Sequence, residues 1–149
     1  EIVIIDSAAG LGEETLSAIR AGDEVIVLTT PDLASVTDAL KTVKLCKVHD
    51  KKIIGVIVNK VKRDDFEIAK ENIEYILEHP VIAMIPLDDK VRQSIYLKNP
   101  VTHTHPDSPA STSYKEVAAK ILGQKYVESI EEKEDSMFDF ILKAIGLKP

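Results

Sequence analysis

Short apolar runs without regular polar alternation occur at four places along the chain. They are IVII at 2–5, EVIVLTT at 24–30, KIIGVIVN at 52–59 and VIAMIP at 81–86. A strand loses its alternation of apolar and polar residues when both of its faces are covered. The pattern therefore predicts four parallel strands that are buried between layers of helices.

Stretches with helical periodicity separate these runs. The spacing predicts a short helix at 13–21, and two longer ones from Ser35 to His49 and from Asp64 to Glu78. An acid three residues after the first residue of each longer helix, Asp38 or Glu67, resembles a capping box. The apolar positions expected to face inward are Val36, Ala39, Leu40, Val43 and Cys46 in one helix and Phe66, Ala69, Ile73, Ile76 and Leu77 in the other.

The rest of the domain continues this alternation. LDDKVRQSIYLKN predicts a helix with Val91, Ile95 and Leu97 inward, NPVTHTHPDSP at 99–109 predicts a loop, and a long helix is expected from about Ser111 to Ser129. Strands joined by crossover helices indicate an α/β fold with a mostly parallel, doubly wound sheet. Because the first strand begins at once after Glu1, we expect 1–130 to be the carboxyl-terminal part of a larger domain.

The last residues form two further segments. An acidic linker is expected at 131–136, followed at 137–149 by a helix whose apolar stripe spans about 100° of arc. That stripe consists of Phe138, Ile141, Leu142 and Ile145. Such a helix can lie in a membrane interface. The alternative is a terminal helix packed on its own domain.

Composition narrows the classes of function. The chain has 149 residues, a net charge of −6 and one cysteine. A single cysteine excludes a disulfide framework or a paired CxxC site within the chain. The place of Cys46 on an apolar helix face indicates a core residue. The acidic balance argues against general binding to nucleic acid. Without a signal peptide or an apolar run of membrane-spanning length, we expect a cytoplasmic protein.

Asp6 ends the first apolar run and is followed by a turn that contains Gly10. Ligands bind at the carboxyl ends of strands in open parallel sheets, and a carboxylate there can hold Mg²⁺ through water. A glycine lets its N–H approach an anion closely because it has no Cβ. These residues therefore indicate a site for metal and phosphate. The alternative is an ordinary aspartate that caps the next helix.

Five motifs, in register over essentially the whole chain, resemble those of MinD-type ATPases, which belong to the MinD/ParA group of deviant P-loop proteins. They are D-x-x-x-G from Asp6 to Gly10, TTP at 29–31, S-V-x-D from Ser35 to Asp38, GVIVNKV at 55–61 and IPLDDKVRQSI at 85–95. Each motif alone is weak, but their common order and spacing are specific.

The resemblance implies ATP and Mg²⁺ as ligands. Asp6 would coordinate Mg²⁺ through water, Gly10 would donate its N–H towards the γ-phosphate, and Asn59 would hydrogen-bond adenine. The loop on the other side of the base would consist of Pro86, Leu87 and Asp88. The family commonly has an acid where Leu87 stands, so only a backbone contact is expected there. The alternatives are that Asn59 only ends its strand and caps a turn, and that Pro86 only ends its strand.

The resemblance also implies partners. The intact protein would form an ATP-dependent homodimer, receive a regulatory protein near Ser35, Thr37 and Asp38, and attach its carboxyl-terminal helix to lipid on the inner face of the cell membrane. For the nearby stripe of Lys41, Lys44 and Lys47, a solvated surface is the favoured interpretation and a contact with that partner is the alternative. No glycine of the chain is followed by lysine as the phosphate-binding loop requires. We therefore expect the chain alone to be inactive.

Three other functions stay open at this point. A DNA-associated, ParA-like partitioning ATPase is disfavoured by the acidic charge and the amphipathic tail. An iron–sulfur cluster carrier is disfavoured because Cys46 has no partner cysteine in the chain. An α/β interaction module without catalytic activity would give Asp6 no role.

Overall fold

The computed structural model describes residues 2–7, 10 and 12–126. Within these residues, three parallel strands form one sheet in the order β1-β2-β3. The strands are β1 (Glu24–Thr29), β2 (Lys52–Val61) and β3 (Val81–Pro86). Three of the four predicted strands are therefore confirmed, with ends that differ from the prediction by at most two residues.

The prediction of a fourth strand, at 2–5, is wrong. Its residues belong to no strand and are exposed, with accessibilities from 49% at Ile5 to 88% at Ile4. A strand needs the hydrogen bonds of a neighbour, because its backbone groups cannot bond to one another. The described residues form a sheet in which this segment has no such neighbour.

Six helices connect or follow the strands in the described part of the chain. They are α1 (Glu13–Ala21), α2 (Leu33–Val48), α3 (Lys70–Leu77), α4 (Asp89–Tyr96), α5 (Val101–Thr104) and α6 (Pro109–Ile121). The prediction for α1 is confirmed. The predicted loop at 99–109 contains the single helical turn α5, and α6 ends well before the predicted Ser129, which lies outside the described residues.

Both predicted capping boxes are wrong. The backbone N–H of Ser35 donates to Oδ1 of Asp32 at 2.9 Å, so α2 begins after Asp32. The segment at 64–69 is a loop before α3, because the Glu67 carboxylate accepts the N–H groups of Lys62 and Arg63 instead. Phe66, which was predicted to face inward, is consequently 95% exposed.

Helices cover both faces of the sheet, which confirms the doubly wound arrangement. On one face α2 and α3 form a core with the strands, which contains Val27, Val36, Ala39, Val43, Val56, Val58, Val61, Ile73, Leu77 and Val81. On the other face α6 packs against β3, with Ile57, Ile85, Ala110 and Val117 buried. Val91 of α4 packs on this second core, but Ile95 and Leu97 are 70% and 57% exposed, contrary to the prediction.

Cys46 is completely buried in α2, and this confirms its prediction as a core residue. Burial raises the pKa of its thiol, so the neutral form is favoured. Among the described residues, no helix is both long and apolar enough to span a bilayer. The predicted linker at 131–136 and the helix with Phe138, Ile141, Leu142 and Ile145 lie outside the described residues.

Candidate functional site

The loops that follow the three strands are joined at the carboxyl edge of the sheet. The backbone N–H of Leu87, just after β3, donates to the carbonyl oxygen of Val61 in β2 at 2.9 Å. The N–H of Ile68, in the loop after β2, donates to the carbonyl oxygen of Pro31 in the loop after β1 at 2.8 Å. Ligands bind at this edge in doubly wound folds, so these loops are the candidate site.

A β-bulge places Asn59 at this edge. Val58 pairs with Met84 and Val61 pairs with Pro86, so two residues of β2 lie opposite one residue of β3. Lys60 takes up the extra length with a positive φ of 59°, which is uncommon for a residue with a side chain. Bulges of this kind occur next to active sites, where they redirect a side chain.

Only the oxygen of the Asn59 side-chain amide forms a hydrogen bond with the described residues. Its Oδ1 accepts the backbone N–H of Lys60 at 2.9 Å, which stabilises the bulge. Among the described residues Nδ2 has no hydrogen-bond partner. Because β2 continues to Val61, Asn59 does not end its strand and cap a turn, as one sequence interpretation held; it stabilises a bulge within the strand and keeps a donor for a ligand.

The loop after the bulge is also held by hydrogen bonds. The two carboxylate oxygens of Glu67 accept the N–H groups of Lys62 and Arg63 at 2.7 and 2.8 Å. Arg63 has a positive φ of 63°. Glu67 was missed as a site residue because its spacing from Asp64 resembled the start of a helix.

Pro86, Leu87 and Asp88 lie beside the bulge. Pro86 ends β3 opposite Val61, and Leu87 has a side chain that is 51% exposed and a backbone N–H that is already bonded. Burial alone would raise the pKa of Asp88, but the net effect is a lower pKa. The carboxylate is stabilised by hydrogen bonds from the backbone amides of Lys90 and Ala110 and from the Ser108 side chain, and by the charge of Lys90. Asp88 is therefore a carboxylate at neutral pH.

Asp6 and Gly10 belong to none of the three strands. Both are exposed, and no hydrogen bond within the described part of the chain joins them to the carboxyl edge. The structure therefore groups Asn59, Pro86, Leu87 and Asp88 but does not bring Asp6 and Gly10 to them.

The chemistry of Asp6 and Gly10 nevertheless fits the predicted ligands. An exposed carboxylate suits Mg²⁺, which binds through one or two carboxylates, several waters and substrate phosphates. Gly10 has a φ of 110°, and a Cβ added to it would meet no atom within 4 Å. Its backbone is thus open to an approaching anion, in a conformation that other residues rarely adopt.

A polar cluster at the start of α2 was missed by the sequence interpretation. The hydroxyl of Thr30 donates to the Asp32 carboxylate and lies 2.7 Å from the hydroxyl oxygen of Ser35. Hydrogen bonds to the Asp32 carboxylate from the Thr30 hydroxyl, and from the amide and hydroxyl of Ser35, lower the pKa of Asp32 to about 2. The D-x-x-S spacing from Asp32 to Ser35 could have indicated this cap.

We expect Asp32→Ala to destabilise the chain by about 1 kcal/mol at neutral pH, because it removes the cap of α2. The ordinary pKa of the carboxyl is 3.8 and the folded value is about 2. The stabilisation is therefore complete above the ordinary pKa and is lost as the pH falls through about 2. Urea unfolding of both proteins at a series of acidic pH values measures this loss. A difference between them that is independent of pH would contradict a cap by the ionised side chain.

The predicted partner-binding residues divide into two kinds. Ser35 is half-buried in the Asp32 cluster, whereas Thr37 and Asp38 are exposed. The Thr37 hydroxyl donates to the carbonyl oxygen of Leu33 at 2.6 Å, and Asp38 pairs with Lys41 at 2.7 Å. The exposed side chains present a polar surface on the first two turns of α2.

Comparison with protein families identifies the group to which this sheet and its edge belong. A model described as ParA, NUBPL iron-transfer P-loop NTPase, matches residues 1–122. The chain belongs to the ParA family. The predicted resemblance to MinD/ParA proteins and the predicted fold class are thereby confirmed.

Relatives of this ParA-family chain include archaeal and bacterial proteins. An ATP-binding protein of Methanocaldococcus jannaschii is 41% identical over 145 residues, which are 97% of this chain and 55% of the relative. The septum site-determining protein MinD of Synechocystis sp. is 27% identical over 128 residues, 83% of this chain and 48% of the relative. The chain thus spans about half the length of these curated relatives.

A solved structure has the same fold. The septum site-determining protein MinD of Pyrococcus horikoshii, complexed with Mg-ADP, matches with a TM-score of 0.73 and 28% identity. The match covers 78% of this chain and 48% of that protein. The parallel sheet with helices on both faces is therefore the MinD arrangement over the matched part.

Proposed function

We propose that this chain is the carboxyl-terminal part of a MinD-like ATPase. The observation that carries the proposal is the bond from the Leu87 N–H to the Val61 carbonyl oxygen. It joins the Asn59 bulge and the loop from Pro86 to Asp88 at the edge where doubly wound folds bind ligands. One polar amide beside a largely backbone-lined loop is suited to a flat heterocyclic base.

Asn59 would read the base of the nucleotide. Its Oδ1 is held by Lys60, so Nδ2 is the atom that would donate to a ring nitrogen of adenine. The loop from Pro86 to Asp88 would lie on the other side of the base, where Leu87 would offer only its backbone and its apolar side chain. The P. horikoshii MinD was solved as a complex with Mg-ADP, and this supports a nucleotide for the intact protein.

Asp6 and Gly10 would act on the phosphates. Mg²⁺ would neutralise phosphate charge there, with Asp6 holding a water of its hydration shell and Gly10 offering its N–H. The phosphate-binding loop would come from residues outside this sequence, in accord with relatives that are about twice as long. Four exposed apolar residues at 2–5 would then pair with a strand from the same region.

The cellular role would be to position cellular machinery by switching reversibly between a membrane-bound and a released state. In this proposal the intact protein dimerises with ATP, its residues Phe138, Ile141, Leu142 and Ile145 enter the inner membrane surface, and hydrolysis releases it. The exposed Thr37 and Asp38 on α2, with Ser35 behind them, would receive a regulatory protein. Two membrane helices in one dimer would bind far more tightly than one.

Two alternative functions, iron transfer and DNA association, are less well supported. Iron transfer, which the family model's description names, needs a metal-binding thiolate, whereas Cys46 is buried and its pKa is raised. DNA association is opposed by the net charge of −6. Binding to nonspecific DNA that weakens steeply with salt would favour that second alternative.

The test of the proposal is Asp6→Ala in the intact protein. We expect ATP hydrolysis to fall by about tenfold to a hundredfold or more, because the residues that orient a metal's ligands contribute at least that much. Asp23→Ala, which removes an exposed aspartate before β1, is the matched control and should keep full activity. Equal ATP hydrolysis by wild type and Asp6→Ala would refute the role assigned to Asp6, and no hydrolysis by either protein would instead support an interaction module without catalytic function.

A further inference from the structure

The carboxylate of Asp88 binds the first turns of two helices at once. Its Oδ1 accepts the backbone N–H of Lys90 in α4 at 2.8 Å, and its Oδ2 accepts that of Ala110 in α6 at 3.2 Å. These two amides are 20 residues apart in the chain, and Ala110 is completely buried. Asp88 is thus the N-cap residue of α4, and it also accepts a hydrogen bond from the first turn of α6, which is distant in sequence.

Electrostatics favour this double contact. The amino-terminal ends of helices carry partial positive charge, which a carboxylate stabilises. Ser108 already caps α6 through its Oγ, which accepts the N–H of Ser111 at 3.2 Å. The Asp88 contact is therefore additional to the ordinary cap of α6, and its particular effect is to join this helix to the loop after β3.

α6 is fixed to the same strand at its other end. The Nζ of Lys120 donates to the carbonyl oxygen of Ile82 in β3 at 3.1 Å, and Val117 packs in the core with Ile85. A movement of the loop after β3 would thus pull on the first turn of α6, while the last turn stays anchored.

The preceding residue completes the connection. The backbone N–H of Leu87 donates a hydrogen bond to Val61 at the end of the Asn59 bulge. Asp88 therefore connects the site proposed for the base, formed by Asn59 and the loop from Pro86 to Asp88, to α6. We propose that Asp88 is a positioning residue that ties the base-binding loop to the first turn of α6, so that a nucleotide bound at this edge stabilises α6. The tie rests on the contacts above, and only the role of the nucleotide rests on the proposed function.

Backbone hydrogen exchange in the 149-residue chain tests the tie. Asp88→Ser keeps a good N-cap for α4 but has one oxygen, which cannot also reach α6. We expect the Ala110 amide to exchange about ten to a hundred times faster in this variant, because hydrogen bonds to charged groups are strong. The control is Asp89→Asn, which removes one charge at an exposed neighbouring site and should leave Ala110 unchanged.

Two results would overturn the tie: unchanged exchange of Ala110 in Asp88→Ser, or equal acceleration in both variants. If Asp88→Ser does not fold, Asp88→Asn serves instead. Its single side-chain oxygen would leave either Lys90 or Ala110 unbonded, so faster exchange confined to one of these amides supports the tie, and unchanged exchange of both overturns it.

The same measurement on the intact protein with Mg-ADP tests the transmission. We expect the nucleotide to slow exchange in the first turn of α6 in wild type and in Asp89→Asn, and to have no such effect in Asp88→Ser. Nucleotide that binds without slowing α6 in wild type, or that slows it equally in Asp88→Ser, would overturn the inference. Failure of Mg-ADP to bind would instead refute the proposed function and the transmission, while the tie is decided by the exchange in the chain.

Discussion

Gly55→Ala is expected to destabilise the chain by about 1–3 kcal/mol, the usual effect of overpacking a core. A Cβ at this position would lie 2.4 Å from Cγ2 of Ile82 and 3.1 Å from the carbonyl oxygen of Pro80. The conflict arises because β3 bulges at Ile82, where its register against β2 shifts by one residue. Urea unfolding followed by circular dichroism would measure the loss.

Two further variants separate crowding from backbone effects. Gly22→Ala is the matched control, because a Cβ there meets only ordinary contacts of 3.5 and 3.6 Å and φ is −77°. We expect it to be neutral or slightly stabilising. Ile82→Ala removes the crowding atoms, so Gly55→Ala should be less harmful in that background than in wild type. An equal effect in both backgrounds would exclude Ile82 as the cause.

Asn59→Asp in the intact protein is expected to weaken ATP binding by roughly tenfold to a hundredfold, the effect of losing one partner of a buried hydrogen bond. The aspartate keeps an oxygen for the Lys60 amide, so the bulge is preserved. It lacks the Nδ2 donor that would bind adenine. Calorimetric titration with ATP and Mg²⁺ measures the change.

The comparison with Asn59→Ala identifies the role of each atom. If Nδ2 binds the base, Asp and Ala at position 59 should weaken binding to a similar extent. If only the bulge matters, Asn59→Asp should bind ATP as wild type does, which would contradict our assignment. Asn72→Asp on the exposed surface of α3 introduces the same charge away from the edge and should have no effect.

The elements that were predicted well are those specified by local composition. β1, β2 and β3 are continuous runs of β-branched and aliphatic residues, and each was found close to its expected position. The run at 2–5 has the same composition but is no strand, because pairing depends on a neighbour that is distant in sequence or outside it. Composition indicates which segments can pair, and only the topology decides which of them do.

The details of the site were harder to predict for a related reason. S-x-x-D at Ser35 and D-x-x-S at Asp32 are both legitimate starts for one helix, and the Thr30 hydroxyl decides in favour of Asp32. The positive φ of Lys60 gives no signal in the sequence, since lysine does not favour that conformation. Asn59 and the loop at 86–88 were located only through the family resemblance, and their hydrogen bonds came from the structure.

The exposed residues at 2–5 have a practical consequence for handling this polypeptide. Ile2, Val3, Ile4 and Ile5 are apolar and carry no charge, and in the described sheet β1 is an edge strand with the exposed apolar side chain of Leu28. Uncovered edges and β-branched segments of this kind are templates for intermolecular β-pairing. We therefore expect the chain, expressed alone, to be prone to aggregate through these exposed residues, and solubilising charges are best introduced beside them.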